Sequence, residues 1–213
     1  MRINYFTRAC LATVLASGLM WSAESGATSM VELTVEQMTD ASDEIIRGTV
    51  GETWSEPDQK GRIWTRTQIE VNEVLKGPDG LSGVVVDQLG GSWAGIETKG
   101  YSSARFSVGE DVLIFLEQLG NGHLVPVGLS QGKYTVQLDP LTHHEIVNRA
   151  FIAPDKEYDA RFLPLPDEAD RVTLDEFEMR VQDRIEAGWD GNPIPGASLK
   201  KLQSLHANQA EVK

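Results

Sequence analysis

Cysteine is almost absent from this chain of 213 residues, in which Cys10 is the single example. Because Cys10 lies in a segment that we expect to be removed on export, the mature chain would contain no cysteine. Disulfides, thiolate metal sites and cysteine nucleophiles are then excluded. An exported chain without disulfides has to be stabilised by its hydrophobic core, which a domain of more than about 100 residues can bury.

Long hydrophobic runs are missing too. The apolar stretch at residues 11–21 is shorter than the roughly 20 residues that span a bilayer. It follows a segment that contains Arg2 and Arg8 but no acidic residue, and small residues follow at 25–27. This order is typical of a secretory signal peptide, and a buried N-terminal helix is the alternative. We therefore expect residues 1–27 to be a signal peptide and the mature protein to be secreted or periplasmic, without a membrane span.

Basic residues are scarce: 19 Lys and Arg stand against 32 Asp and Glu, which gives a net charge of −13. Removal of a leader ending at Ala27 takes away Arg2, Arg8 and Glu24 and changes the net charge to −14. Binding to phosphates requires clustered Lys and Arg, and the sequence has no such cluster. We therefore expect no nucleic-acid partner. The acidic surface is expected to keep the chain soluble, and the expected partner is a protein.

Strand-like patterns dominate the middle of the chain. Apolar and polar residues alternate over 63–72, and the phase slips at Glu73, which indicates a β-bulge. Residues 112–116 are an unbroken apolar run, typical of a strand buried on both faces. The six predicted strands lie at about residues 45–54, 63–75, 84–86, 112–116, 124–127 and 133–138. Their spacing predicts a mainly β domain over residues 28–150, either a sandwich or a small barrel.

Two capping boxes predict helices. The sequence TVEQ at residues 34–37 starts a helix that we expect to end near Ala41, and TLDE at residues 173–176 starts a helix over about 173–187. The second helix carries an apolar stripe, which favours docking onto the domain's own core over binding in a partner's groove. The stripe consists of Leu174, Phe177, Val181 and Ile185.

The segments that flank this helix have a different composition. Residues 142–150 are predicted to form a short helix, and the Pro- and Asp-rich residues 153–170 a loop or linker. Residues 191–213 begin with Pro and Gly, end in polar residues and are predicted to be a mobile tail. Residues 151–213 are therefore interpreted as an extension with one amphipathic helix.

The sequence GLSQG at residues 128–132 fits G-x-S-x-G, the motif of the serine-hydrolase nucleophile elbow. That elbow needs a strand, a sharp turn and a helix, whereas a second strand-like segment follows here. We therefore predict a glycine-flanked strand junction. The alternative is a serine hydrolase in which Ser130 acts with His143 or His144.

The sequence HEIVN at residues 144–148 is one residue away from the zinc motif H-E-x-x-H. Asn148 stands where the second histidine would be, and it is a poor zinc ligand. No pair of carboxylates has a recognisable catalytic spacing. We therefore expect solvent-facing histidines, no metal, no cofactor and no catalytic residues.

The long segment from Gly90 to Ser107 is rich in Gly and Ser and is predicted to be a loop. Long loops in compact domains often carry function, and amphipathic aromatic side chains in them often make contacts. The predicted binding residues are Trp93, Tyr101 and Arg105. The alternative is that the aromatic side chains fold back and cover one end of the barrel.

Three segments, DASDEIIRGTV, TRTQIEVNEVLKG and SVGEDVLIFLE, occur in an informative order. Their order resembles the core of the netrin-like module found in tissue inhibitors of metalloproteinases, and it is similar to that of a family of exported bacterial proteins. The resemblance covers residues 40–138 and implies an antiparallel OB-type β-barrel. The animal inhibitors use an N-terminal cysteine and disulfides, which this chain lacks, so the resemblance implies a role in binding but not that mechanism.

The sequence is compatible with three functions. We predict an exported, non-enzymatic binding or interaction module. A serine hydrolase that uses Ser130 is the first alternative. The second is an envelope assembly component recruited through the helix at 173–187.

Overall fold

The computed structural model describes residues 31–98, 103–149, 172–197 and 199–211. The predicted signal peptide and Tyr101 lie outside these residues. The helices are α1 (Val35–Ala41), α2 (Leu174–Ala187) and α3 (Leu199–Glu211). The strands are β1 (Glu44–Pro57), β2 (Ile63–Lys76), β3 (Gly83–Leu89), β4 (Gly91–Trp93), β5 (Ile96–Thr98), β6 (Asp111–Gln118), β7 (Leu124–Pro126), β8 (Lys133–Leu138), β9 (Glu145–Arg149) and β10 (Val172–Thr173).

The main sheet has eight strands in the order β10-β9-β8-β6-β1-β2-β3, with β7 paired to β6 beside this path. All of its pairs are antiparallel. The prediction of a mainly β, antiparallel fold is thus confirmed. The closed OB-type barrel is not confirmed, because within the described residues β3 pairs only with β2 and the sheet stays open.

β1 and β2 form the longest hairpin, and its register shifts between Ile45 and Ile46, between Arg47 and Gly48, and between Val50 and Thr53. Glu73 lies at one of these irregularities, as the phase slip in the sequence predicts. Gly48 allows the strands to approach closely there, because a Cβ on Gly48 would lie 2.4 Å from the carbonyl oxygen of Glu70. Irregular pairing of this kind bends a strand and increases its twist.

The sheet separates two hydrophobic clusters. Alternate residues of β6 point to opposite faces, so that Leu113 and Phe115 enter one cluster while Val112 and Ile114 enter the other. The first cluster lies beneath the helices, and the second is enclosed by β1, β2, β3 and β6. This arrangement explains why residues 112–116 are apolar without a break.

The helix α2 docks onto the first cluster, as its apolar stripe predicts. Phe177 meets Tyr134 with ring centroids 4.6 Å apart and Phe115 at 6.1 Å. Thr173 and Glu176 form the expected capping box. Because Leu174, Phe177 and Val181 are buried in this core, that face of α2 is not available to a partner.

Two ion pairs join α2 to α1. Arg184 Nη2 lies 2.6 Å from Asp40 Oδ2, where both side chains are largely buried, and Arg180 Nε lies 2.5 Å from Glu36 Oε1 near the surface. The bond from Arg180 lowers the pKa of Glu36 to about 2, although partial burial of the carboxyl opposes this shift. These contacts fix the angle at which the two helices pack.

Three predicted local structures differ from those observed. Residues 145–149 form β9 instead of part of a helix, because Ile146 and Val147 are buried against β8 and strand pairing outweighs weak helical propensity. The segment predicted as a loop after Gly90 contains the hairpin β4–β5. The segment predicted as a mobile tail contains α3, whose Leu202 and Leu205 pack on the first cluster.

None of the three described helices has the length and hydropathy needed to cross a bilayer.

Candidate functional site

The strands β3 and β7 lie side by side, with Cα atoms within 8 Å, but no backbone ladder joins them among the described residues. Side chains close this seam instead. The ring of His123, the residue before β7, stacks on Trp64 of β2 with centroids 3.9 Å apart and planes 16° from parallel. Its Nδ1 lies 2.9 Å from Oδ2 of Asp87 on β3. His123 thus connects the two unpaired strand edges.

Further contacts hold the partners of His123 in place. Arg66 Nε donates to Asp87 Oδ1 over 3.1 Å, and Arg66 also pairs with Glu56. Trp64 Nε1 donates to Asp58 Oδ2 over 3.2 Å, and only 4% of Trp64 is exposed. The indole and the carboxylate at the seam are therefore positioned before any ligand binds.

A cavity of about 690 Å³ opens beside this seam. It lies between β3, β7, the segment after β7 and the turn before α3. Most of its wall is apolar, and the apolar side chains that line it include Trp64, Leu89, Val125, Leu129, Ile194 and Ala197. Cavities of 300–1,000 Å³ with apolar walls and few polar groups are typical of small-molecule sites.

The polar part of the cavity wall includes Asp87, Gln88, Glu117 and Lys201. Asp87 is already bonded to Arg66 and His123, and Lys201 Nζ lies 2.6 Å from Asp43 Oδ1. Burial raises the pKa of the Glu117 carboxyl, and the charge of Lys201 partly offsets this shift. The charged groups of the wall thus face opposite charges nearby.

The sequence VGLSQGK forms the segment that joins β7 to β8 at the cavity. Both ends of this segment bind the same residue, because Val127 N donates to the Phe115 carbonyl oxygen and Phe115 N donates to that of Gly132. A Cβ on Gly132 would lie 2.6 Å from the carbonyl oxygen of Val127, so only glycine fits there without a shift. The predicted strand junction is present.

Leu129 stands at the tip of this junction, on the rim of the cavity. Its φ of 65° is unusual for a residue with a bulky side chain, and half of the residue is exposed. The Gln131 side chain stabilises the loop, because its Oε1 accepts a 2.8 Å bond from Leu33 N. Strained residues of this type are common where a side chain is held out for function.

Ser130 is 8% exposed, and neither predicted histidine partner is near it. Ser130 precedes β8, whereas His143 and His144 lie in the turn after it, where Leu138 pairs with Glu145. The length of β8 alone separates the two ends by roughly 17 Å. The structure therefore does not bring these side chains together.

His144 precedes β9 and Asn148 lies within this strand, so the two residues do not share a helical face. Within the described ranges, no group of three or more His, Cys, Asp and Glu side chains is placed to hold a metal ion.

The predicted binding residues lie in and after the hairpin β4–β5. Trp93 pairs with Ile96 across the turn and is 46% exposed, and Arg105 is exposed in the segment that leads to β6. Tyr101 is outside the described residues. Their role in binding stays a prediction.

Two features of this region were not predicted from the sequence. The first is the cavity with its seam, since strands distant in sequence supply Trp64, Asp87 and His123. The second is the buried ion pair of Lys133 with Glu110, in which Thr135 Oγ1 also donates to Glu110 Oε1 over 2.5 Å. Burial lowers the pKa of Lys133, and Glu110 opposes this shift. The sequence of β8 alternates between polar and apolar residues, but it does not indicate which residues the polar side chains contact.

No protein-family model matches this chain, and the comparison with curated proteins finds no match either.

Proposed function

We propose that this protein is a non-enzymatic binding module and that the cavity beside the β3–β7 seam holds a small, mostly apolar molecule. The observation that carries the proposal is the cavity of about 690 Å³ with its largely apolar wall. A concave site of this volume encloses most of a drug-sized molecule. A typical protein partner covers about 800 Å² of a flatter surface, so the cavity favours a small molecule over the protein partner predicted from the sequence.

The arrangement of the rim supports this proposal. Trp64 lines the cavity as an aromatic group held in place by His123 and Asp58, and Leu129 adds a half-exposed apolar side chain. A fixed aromatic group loses little conformational entropy when a ligand binds, which favours affinity. Leu129 keeps its side chain at the rim at the cost of an unfavourable backbone conformation.

Titration of the purified protein with the neutral dye Nile red tests the proposal. We expect saturable binding with a rise in dye fluorescence. Ala197→Phe places a ring in the cavity and should abolish the signal, whereas Ala187→Phe, at the exposed end of α2, should leave it unchanged. Circular dichroism and melting temperature establish that both variants fold.

Leu129→Asn provides a second variant, because Asn tolerates a positive φ better than other polar residues. It should bind Nile red more weakly while the fold is retained. Absence of saturable binding to the wild-type protein overturns the proposal, as does equal binding by Ala197→Phe and the wild type.

We further propose that the chain is exported, on the basis of the N-terminal charge and hydropathy pattern. Mass spectrometry of the protein recovered from the cell envelope or medium should find a new N-terminus near Thr28. An intact N-terminus on the exported protein would contradict cleavage.

We also propose that the sheet curves into an OB-type barrel, in line with the netrin-like resemblance. In this barrel, side-chain contacts join β3 to β7 where backbone pairing is missing. In support, β1, β2, β3, β6 and β7 all contribute apolar side chains to the second hydrophobic cluster. NMR should detect hydrogen-bond couplings from β2 to β3 and side-chain contacts from β3 to β7. Absence of those side-chain contacts would contradict the barrel.

A further inference from the structure

We infer that Gln88 is the polar recognition group of the cavity and that the ligand is a mostly apolar molecule with an uncharged hydrogen-bonding group. This inference rests on the proposed function, since it names the chemical class of the ligand for the same site. A primary or secondary amide, a ketone or an alcohol on a hydrocarbon body fits this class.

The state of the Gln88 side chain carries the inference. Gln88 lies on β3 between two other residues of the cavity wall, Asp87 and Leu89, and is only 9% exposed. Its side-chain amide has no hydrogen-bond partner within the described part of the chain, although its neighbour Asp87 has two. Because Gln88 lines the cavity and no described residue bonds its amide, the amide is available to a ligand there. A glutamine side chain can donate and accept at once.

The charges of the wall disfavour both ionised classes of amphiphile. A carboxylate or sulfonate would have to compete with Asp43 for Lys201, the cation of the wall, and would lie near the carboxyl groups of Asp87 and Glu117. An ammonium group would have to compete with Arg66 for Asp87 and with Lys201 for the region of Glu117 and Asp43. The neutral amide of Gln88 has no such competitor among the described residues.

A matched ligand series tests the inference by isothermal titration calorimetry. Decanol, decanamide, decanoate and decylamine share one hydrocarbon chain and differ only in the polar group. We expect decanol and decanamide to bind more tightly than decanoate and decylamine. Gln88→Met keeps the length of the side chain and removes its hydrogen bonds, so it should weaken decanamide binding by roughly threefold to tenfold.

Controls separate recognition from a change in fold. Gln68→Met alters an exposed glutamine on the neighbouring strand β2 and should leave all affinities unchanged. Gln88→Leu provides a second apolar replacement if Gln88→Met is poorly folded. Melting temperatures of all variants are compared with that of the wild type.

Tighter binding of decanoate or decylamine than of decanamide overturns the inference. So does an unchanged affinity for decanamide in a folded Gln88→Met or Gln88→Leu variant. In both cases saturable binding of Nile red still supports the proposed function. If neither Nile red nor any member of the series binds, the proposed function and the inference are both overturned.

Discussion

His123 stacks on Trp64 with ring centroids 3.9 Å apart, and this contact bridges strand edges that no described backbone hydrogen bond joins. The imidazole also bonds Asp87, so that one side chain links β2, β3 and the start of β7. The cavity begins at the same place. Stability and ligand binding are therefore expected to depend on the same three side chains.

Replacement of His123 tests the seam. His123→Ala removes the stacked ring and one of the partners of buried Asp87, and we expect the free energy of unfolding to fall by about 2–3 kcal/mol. Urea denaturation measures the change. His144→Ala, at an exposed turn, should change the same quantity by less than about 0.5 kcal/mol. Equal losses of unfolding free energy in the two variants would contradict a stabilising role for the His123 contacts at the seam.

Gly132 is expected to be required at the junction before β8. A Cβ there would lie 2.6 Å from the Val127 carbonyl oxygen and 2.9 Å from that of Phe115, and both are backbone atoms that cannot move freely. Gly132→Ala should destabilise the protein by about 2–3 kcal/mol, as overpacking does. Gly120→Ala, with open space around its Cβ position, is the matched control. A melting temperature of Gly132→Ala equal to that of the control would refute the close approach.

Ser130 is expected to be unreactive. It is largely buried, and the histidines that follow it lie at the other end of β8. A fluorophosphonate probe should leave Ser130 unlabelled, and Ser130→Ala should not change the background rate of ester hydrolysis. Peptide mapping by mass spectrometry locates any label, and a known serine hydrolase in the same reaction shows that the probe is active. Labelling of Ser130 would support the alternative that the protein is a serine hydrolase.

The titration of Lys76 is expected to make the free energy of unfolding depend on pH in the alkaline range. Its Nζ donates to the carbonyl oxygens of Thr39 and Ser42 at the end of α1, over 2.7 and 2.8 Å. Burial, with the nearby charge of Lys201, lowers the pKa of Lys76 from 10.5 to about 8. Between these values the unfolded chain keeps a proton that the folded chain has released. Stability contributed by this group therefore rises from about pH 8 to 10.5.

The measurement compares the wild type with Lys76→Met by urea denaturation across this range. The difference in unfolding free energy should shift in favour of the wild type as pH increases, because Met cannot titrate. Lys60→Met, at an exposed lysine, should show no such trend. Parallel pH profiles for the wild type and Lys76→Met would contradict the lowered pKa.

Local patterns predicted the elements whose chemistry is contained in a few neighbouring residues. Thr34 and Gln37 form the capping box expected from TVEQ, and the apolar stripe of α2 is buried as its spacing predicts. The alternation around Ile69 and the phase slip at Glu73 correspond to the longest hairpin and its irregular register. In each case the pattern lies within a few neighbouring residues, so it can be read directly from the sequence.

Other elements depend on partners that are distant in the chain. Residues 145–149 form a strand because they pair with the edge of β8. The helix α3 packs on a hydrophobic cluster whose residues are distant from it in the sequence. The weak pattern of the Gly-rich segment did not reveal the hairpin with Trp93. Local propensity cannot decide such segments when tertiary contacts contribute more free energy.

The chain's own residues thus account for its β-rich class, its capped helices, its acidic charge and the weakness of the G-x-S-x-G match, since each follows from composition or short-range spacing. Folding in three dimensions decided everything about the site. It placed Trp64, Asp87 and His123 at one seam, left the Gln88 amide without a described partner and separated Ser130 from the histidines. Contacts between strands far apart in sequence depend on register and sheet curvature, which no short pattern encodes.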